Sequence, residues 1–403
     1  MTIKESTISV LLIMLLMLLA ACINNNGEIP IIKEDAFEVE DISQVESFIL
    51  SAVETFNHMI AGLAITVFTE EEIKYELKHG YADITEGLAI DSFSVFEWGS
   101  IAKLLVYVSV MQLYERGQLD LHANIFNYIP QEFFPDIIYT TTMHHLINHT
   151  AGFENDYWLR YREQFNDFVP AGEPVPNLEN KLKDIFASGF TTQSSQPGEV
   201  VRYSNEGIAL AGHIIAQVSG LPFYEYVHNN IFVPLGMTRT ALLPDLSDND
   251  WVSTQRDKIR TYEIRRKQSV QRWQDSIYPA GSATGTISDM IKFARALIPD
   301  EDGASMLFER HETFSKLFPS LEGIQNIPVC VLTGFRFFNG LIVYPLGGKS
   351  YRVLGHAGGT KGFRSQLVID VDRGIGMVIC ENNTRGVMSI SVFFEGLAEV
   401  VFE

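Results

Sequence analysis

The chain has 403 residues, 46% of them hydrophobic, with 50 acidic against 30 basic side chains and a formal charge of −20. A surface this acidic repels phosphate backbones, which argues against a nucleic-acid partner. The length allows one large domain or two intimate lobes around a sizeable core, and neither internal repeats nor low-complexity or charge-driven disorder breaks it up.

The N-terminus stands apart from the fold. Residues 8–21, ISVLLIMLLMLLAA, form an apolar run of signal-peptide length, short for a membrane span. Lys4 is the only basic side chain before it, and Glu5 offsets its charge. The run ends Leu19-Ala20-Ala21-Cys22, which resembles the lipobox of bacterial lipoproteins. That resemblance implies a signal peptide over residues 1–21, cleavage before Cys22, lipidation of that cysteine and display on a membrane outside the cytoplasm. The alternative is an ordinary secretory signal with a chance cysteine, which gives a secreted or periplasmic protein. Residues 22–42 read as a polar tether, and the folded domain runs from 43 to 403. Two further cysteines, Cys330 and Cys380, sit in apolar strand-like contexts and read as small buried hydrophobes.

Ser43-Gln44-Val45-Glu46 has the form of a capping box, and Val45, Phe48, Ile49, Ala52, Val53 and Phe56 follow at helical spacing. Residues 61–82 read as two strands around an acidic turn. A long apolar run from Ser100 to Gly117 reads as a buried helix with Gly117 just past its end. Residues 118–280 are mainly helix and long loop. EGIALAGHIIAQVSG predicts a helix ending at Gly220, and ISDMIKFARALI another with Ser288 as its cap. Beyond residue 330 the pattern turns to strands. VLTGFRFF, Asn339-Gly340 and LIVYPL predict a hairpin, SYRVLGHAGG and SQLVIDV–DRG–IGMVICE further strands, and MSISVFFEGLAEVVF a closing helix. Strands at both ends and helices between predict an α+β fold. One antiparallel sheet is built from both ends of the chain, a helical lobe over about 118–290 is inserted, and a cleft lies between.

Three short motifs carry chemistry. Ser100 and Lys103 lie three apart at the head of the apolar helix, on one face, where unpaired backbone N–H groups favour developing negative charge. A serine nucleophile whose base is a lysine needs that pairing. Read blandly, the pair is a capping serine and a snorkelling lysine. Tyr203-Ser204-Asn205 precedes the next helix. A phenol relays protons and an amide offers donor and acceptor together, although the same triplet serves as a capped surface loop. Gly355-His356-Ala357-Gly358-Gly359 ends a strand. Its glycines let a substrate lie against the edge, and its N–H groups suit an oxyanion, although a glycine bulge reads alike.

Ser-x-x-Lys, then Tyr-x-Asn about one hundred residues later, then a strand His-x-Gly, resembles the serine β-lactamase-like superfamily. That superfamily includes class C β-lactamases, low-molecular-weight penicillin-binding proteins and related esterases. FEWGSIAK, LYERGQLDLHANIFNYIP, TMHHLINHTAGF, PGEVVRYSNEGIALAGHIIAQVSG, IFVPLGMTRT and GHAGGTKGFRSQLVIDVDRGIGMVICENN read like its landmark segments in its order, over residues 44–403. The resemblance implies a β-lactamase/transpeptidase-like fold and no cofactor. It implies that Ser100 attacks an acyl carbon, Lys103 takes its proton directly or through Tyr203, and Tyr203 protonates the leaving group. Asn205 would bond Lys103 or the substrate amide, and the N–H groups of Ser100 and Gly359 would hold the oxyanion. His356 and Gly358 complete the substrate edge.

Departures shape the substrate expectation. Many relatives carry Lys-Thr-Gly or His-Thr-Gly where this chain has His356-Ala357-Gly358. A neutral imidazole and a missing hydroxyl weaken the grip on a substrate carboxylate unless Lys361 or Arg364 compensates. The expectation is therefore a peptidase, amidase or esterase, D-Ala-D-Ala carboxypeptidase-like, with a true β-lactamase and a non-turnover penicillin or peptidoglycan sensor as alternatives. In PAGSATG, Ser282 stands where the family usually has a second glycine. His144, His145 and His149 invite a zinc reading, since His145 and His149 stand four apart on an expected helix, but no third acidic or cysteine ligand stands out nearby and no metal is expected. Val343 replaces the first glycine a phosphate loop ending in GGKS would need, and no Gly-x-Ser-x-Gly elbow occurs.

Overall fold

A computed structural model of the chain describes residues 42–154, 168–187, 191–263, 268–299, 305–310, 313, 336–338, 341–346, 349–371, 373–383 and 401. The signal segment, Cys22 and its tether, Cys330, the Asn339-Gly340 turn and the closing helix other than Val401 lie outside the described residues.

Helix α1 (Ile42–Phe56) buries Val45, Ile49, Ala52 and Val53 along one stripe. It takes in Ser43, so the Ser43–Glu46 box is not its cap. Strands β1 (Gly62–Thr69) and β2 (Ile73–Asp83) form the expected hairpin, followed by β3 (Leu88–Ala89) and β4 (Val95–Glu97). Alternation along β1 divides the core. Leu63, Ile65 and Val67 pack with α1 on one face, while Ala64 and Phe68 join the main core on the other. The elements that matter next are α2 (Lys103–Glu115), α3 (Met143–Ile147), α4 (Asn205–Ser219), β5 (Thr284–Thr286) and α5 (Ile287–Arg295). The C-terminal strands are β6 (Arg336–Phe338), β7 (Leu341–Leu346), β8 (Lys349–Gly359), β9 (Arg364–Asp370) and β10 (Ile375–Glu381).

These strands make one antiparallel sheet in the order β6-β7-β8-β9-β10-β1-β2-β3. The two ends of the chain meet at its centre, where β1 pairs with β10 from Leu63 opposite Glu381 to Thr69 opposite Ile375. Phe338 pairs with Leu341, the spacing of a two-residue hairpin. The α+β architecture expected from the sequence is the one observed.

Helix α2 is buried on nearly every side, from Lys103 through Leu113. A helix apolar all round belongs in the centre of a core, and α2 packs against α3, α4 and Phe223–Val227. Gly117 and Gly220, both with φ near +70°, follow α2 and α4 as their positions predicted. The cap of α5 differs from expectation. Thr286, rather than Ser288, accepts from the Asp289 N–H at 3.3 Å, because β5 delivers Thr286 in extended geometry and the helix has already begun at Ile287. A second, three-stranded sheet of β4, β5 and Thr240–Ala241 brings the segment after β4 against residues 280–283, where the Trp98 N–H donates to the Ala283 carbonyl at 2.7 Å. Cys380 is a free, buried thiol on β10, and burial pushes it up to about 12.

Candidate active site

The turn that carries Ser100 starts at Gly99, whose φ of +54° lies in the left-handed region that favours glycine. A side chain there would also strike β8, since a Cβ would fall 2.4 Å from the Gly359 nitrogen. Residues Gly99–Ala102 form a 3₁₀ turn and the α-helix begins only at Lys103. Ser100 therefore sits on the turn rather than in the first α-helical residue that its spacing predicted. The pairing with Lys103 survives, because the turn still places them on one face. Lys103 Nζ lies 3.0 Å from Ser100 Oγ and donates to the Ala280 carbonyl at 2.6 Å.

Lys103 is wholly buried. Burial pushes its amine down to about 7, against the opposing pull of Asp275 and Glu206. The neutral amine keeps a donor on Ala280 and presents its lone pair to the serine hydroxyl.

Tyr203 enters from the N-terminal end of α4. Ser204 caps that helix, its Oγ accepting from the Gly207 N–H at 2.9 Å and donating to Glu206 Oε2 at 2.9 Å. The Tyr203 ring stands 5.0 Å from Lys103 Nζ. Asn205 is the first residue of α4, and among the described residues no hydrogen bond joins its side chain to Lys103, whose bonds go to Ser100 and Ala280.

A residue first met as a metal candidate belongs here instead. Helix α3 stops at Ile147, so His145 and His149 do not share a helical face. His145 closes the capping box with Thr142. His149, with φ +57°, turns into the site and brackets Tyr203. Its carbonyl accepts from the Arg202 N–H at 2.7 Å, its Nδ1 accepts from the Ser204 N–H at 3.2 Å, and its ring packs on the Tyr203 ring at 4.5 Å. With Nδ1 accepting, Nε2 carries the proton and donates to Tyr107 Oη at 3.3 Å. Burial, then Lys103 and His356, hold the imidazole well below its ordinary pKa, so it is neutral. Nothing in the residue spacing joins 149 to 203; the only signal was the landmark segment TMHHLINHTAGF itself.

Strand β8 forms the opposite wall. A Cβ at Gly358 would fall 1.9 Å from the Trp98 carbonyl oxygen, so this glycine allows the strand to lie directly on the turn that carries Ser100. Strand β7 pairs with β8 only from Lys349 to Leu354, while β9 pairs with it through Gly359. Residues 355–359 thus have an edge that neither β7 nor β9 occupies, beside Ser100. His356 is buried and neutral, pushed down to about 3 by burial and by Lys103, and its ring lies 5.9 Å from that of Tyr203. The two basic groups after the strand have distinct places. Arg364 donates to the carbonyls of Thr360 and Phe363 beside Gly359, and Lys361 stands over the Trp273 ring at 3.4 Å. Ser282 Oγ reaches the Asp275 carbonyl at 3.5 Å.

Ser100, Lys103, Tyr203, His356, Gly358 and Gly359 are brought together by the turn before α2, the head of α2, the segment before α4 and strand β8, while Asn205 opens α4 next to Tyr203 in sequence. Among the described residues no group of histidine, cysteine and carboxylate side chains has metal-binding geometry.

The sequence profile of the Beta-lactamase family matches residues 46–389. Penicillin-binding protein 4 of Amycolatopsis lactamdurans is 25% identical over 263 residues, 62% of this chain and 63% of that protein. The chain spans about half to two thirds of the length of the curated relatives it matches. Among solved structures, the octameric penicillin-binding protein homologue from Pyrococcus abyssi superposes with a TM-score of 0.70 at 23% identity, covering 90% of this chain and 78% of that one. The D-amino acid amidase from Ochrobactrum anthropi SV3 gives 0.69 at 20%, covering 88% and 98%. These likenesses speak to the fold, and the profile to the family. The motifs, the fold and a profile running over most of the sequence lead to one statement: this chain belongs to the Beta-lactamase family, within the serine β-lactamase-like superfamily.

Proposed function

We propose that the protein is a serine acyl hydrolase that works through an acyl-enzyme on Ser100, with peptides, amides or esters as substrates in preference to β-lactams. The observation that carries this reading is the wholly buried Lys103 amine, 3.0 Å from Ser100 Oγ and shifted to about 7. A lysine at its ordinary pKa is a cation at neutral pH and cannot accept a proton; this one is half neutral. In the proposed sequence Ser100 Oγ attacks the acyl carbon and its proton passes to Lys103. The oxyanion forms against the N–H groups of Ser100 and Gly359, and Tyr203 delivers the proton to the leaving group. Water then takes the place of the leaving group and the same groups run in reverse.

Among the described residues no strand pairs with residues 355–359 on the side away from β9, which favours an extended, peptide-like substrate that adds to a sheet edge through backbone hydrogen bonds. His356-Ala357 offers neither a cation nor a hydroxyl to a β-lactam carboxylate. One observation favours the second reading, a β-lactamase: the Arg364 guanidinium lies close beside Gly359, where it supplies positive charge to that end of the site. A panel of D-Ala-D-Ala peptide, chromogenic cephalosporin and short-chain p-nitrophenyl esters separates the readings. The proposal expects faster turnover of ester or peptide. Combining His356→Lys with Ala357→Thr should raise β-lactam acylation relative to ester acylation. Cephalosporin hydrolysis with kcat/KM of about 10⁵ M⁻¹s⁻¹ or above by the native protein makes it a β-lactamase. Binding without covalent labelling makes it a sensor. We further propose that Cys22 is lipidated and holds the protein on the outer side of a membrane, where peptidoglycan peptides are within reach.

A further inference from the structure

We infer that Tyr107 is a positioning residue for the reaction: acting through His149, it fixes the segment that carries Tyr203 so that the Tyr203 hydroxyl can protonate a poor leaving group. This role presupposes the acyl-hydrolase reading, in which Tyr203 delivers that proton.

Tyr107 lies one helical turn beyond Lys103 on α2, on the same face. It is 1% exposed and belongs to the apolar core. For packing alone a phenylalanine would serve, and a buried hydroxyl costs free energy unless it is bonded. Among the described residues this hydroxyl has one hydrogen-bond partner, His149 Nε2 at 3.3 Å.

The direction of that bond follows from the other side of the ring. His149 Nδ1 faces the Ser204 N–H, which can only donate, so Nδ1 carries the lone pair. The imidazole is neutral, and its single proton sits on Nε2, toward Tyr107 Oη. Without that oxygen a buried N–H loses its acceptor. Moving the proton to Nδ1 would set it against the Ser204 N–H and push Ser204 away. Tyr107 thus selects the tautomer that holds the backbone beside Tyr203.

His149 grips that backbone on both sides. Its carbonyl accepts from the Arg202 N–H at 2.7 Å and its Nδ1 from the Ser204 N–H at 3.2 Å, so both chain neighbours of Tyr203 are tied to one residue. Its imidazole packs on the Tyr203 ring with centroids 4.5 Å apart. His149 does this at a φ of +57°, uncommon for a residue with a side chain and typical of functional constraint. Helix α2 therefore places Lys103 5.0 Å from the centre of the Tyr203 ring and also carries the support of His149. One rigid element sets both the base and, through His149, the proton donor.

The demand on this geometry depends on the leaving group. When the C–N bond of an amide breaks, the nitrogen must receive a proton, here from Tyr203, which regains one from the Lys103 ammonium formed when Ser100 attacked. A p-nitrophenolate leaves as the anion and needs none. A misplaced Tyr203 slows the amide selectively, whereas a general loosening of the fold slows both.

The test is single-turnover acylation by the p-nitroanilide and the p-nitrophenyl ester of one acyl group, N-acetyl-D-alanyl. Tyr107→Phe should slow the anilide at least about tenfold and the ester less than about threefold. His149→Asn, which leaves α2 untouched, should show the same split. Equal slowing of the two substrates, or an undiminished further loss when Tyr107→Phe is added to Tyr203→Phe, overturns the assignment. Nuclear magnetic resonance of isotope-labelled histidine gives a second readout. His149 should show the Nε2–H tautomer in the unaltered protein and lose that single state in Tyr107→Phe; an unchanged tautomer also overturns it. An unaltered protein that opens the ester but not the anilide lacks a working donor at Tyr203, and the assignment falls. One that opens neither removes the acyl-hydrolase reading itself, whereas one that opens both and is unaffected by Tyr107→Phe removes only the role of Tyr107.

Discussion

Acylation should follow the ionisation of Lys103, and the structure sets where. Burial brings the amine from 10.5 to about 7, while Asp275 and Glu206 oppose the shift. At pH 7 about half the lysine is neutral, against about one part in three thousand for an unshifted lysine. The sign follows from the base's role: the competent form is neutral, so rate is lost as pH falls through about 7. Between pH 5 and pH 7 the acylation rate should rise about fiftyfold, then level off by about pH 8. The histidines of the site stay neutral over this range, since His356 titrates at about 3 and His149 well below its ordinary value. Asp275, pushed up to about 6 by burial, shares the window and couples to the lysine. Asp275→Asn removes a charge that raises the lysine, so its inflection should move below that of the wild type. Single-turnover acylation by a neutral phenyl ester, followed by stopped flow, reads these limbs without substrate ionisation. A rate that keeps climbing tenfold per unit beyond pH 9 would mean that Lys103 titrates as an exposed lysine, and the reasoning would fail.

Further outcomes follow from the neighbouring contacts. Tyr203→Phe should lower acylation by about 10² or more, as loss of a proton relay does. His149→Asn, which tolerates the positive φ, should lower kcat by about tenfold or more through misplacement of Tyr203, with KM little changed. In the Tyr203→Phe background the same change should cost nothing more; an undiminished additional loss would show that His149 does not act through the tyrosine. Gly358→Ala drives a Cβ into the Trp98 carbonyl. It should displace the Gly359 N–H and cost about 10² in acylation, along with about 1–3 kcal/mol of stability from overpacking. Cys22→Ser should release the protein from the membrane fraction, and equal palmitate incorporation in both forms would refute lipidation at that residue.

The sequence was most legible where chemistry coincides with local structure. Helical periodicity, strand alternation and the glycines at 117 and 220 located the framework, because each reports on its own neighbours in the chain. Ser100, Lys103, Tyr203 and the 355–359 strand were assigned through the resemblance that the three motifs carry in their order, since each motif alone reads equally as a cap or a glycine bulge. Errors arose at the boundaries. Ser100 lies on a 3₁₀ turn that packs closely on β8 at Gly99, and Thr286 rather than Ser288 caps α5 because β5 sets its backbone. Less legible still were contacts that only tertiary packing creates. The Ala280 carbonyl that holds Lys103 has no side-chain signature. His149 read as a metal candidate, since nothing in the spacing ties it to a tyrosine more than fifty residues on.

The central claim is that Ser100 becomes acylated. Peptide mapping by mass spectrometry after incubation with a fluorophosphonate or a β-lactam tests it most directly. The account predicts a single adduct on the peptide that contains Ser100, absent from Ser100→Ala and slowed strongly in Lys103→Met. An adduct that persists in Ser100→Ala, or one that maps to another residue, would contradict it.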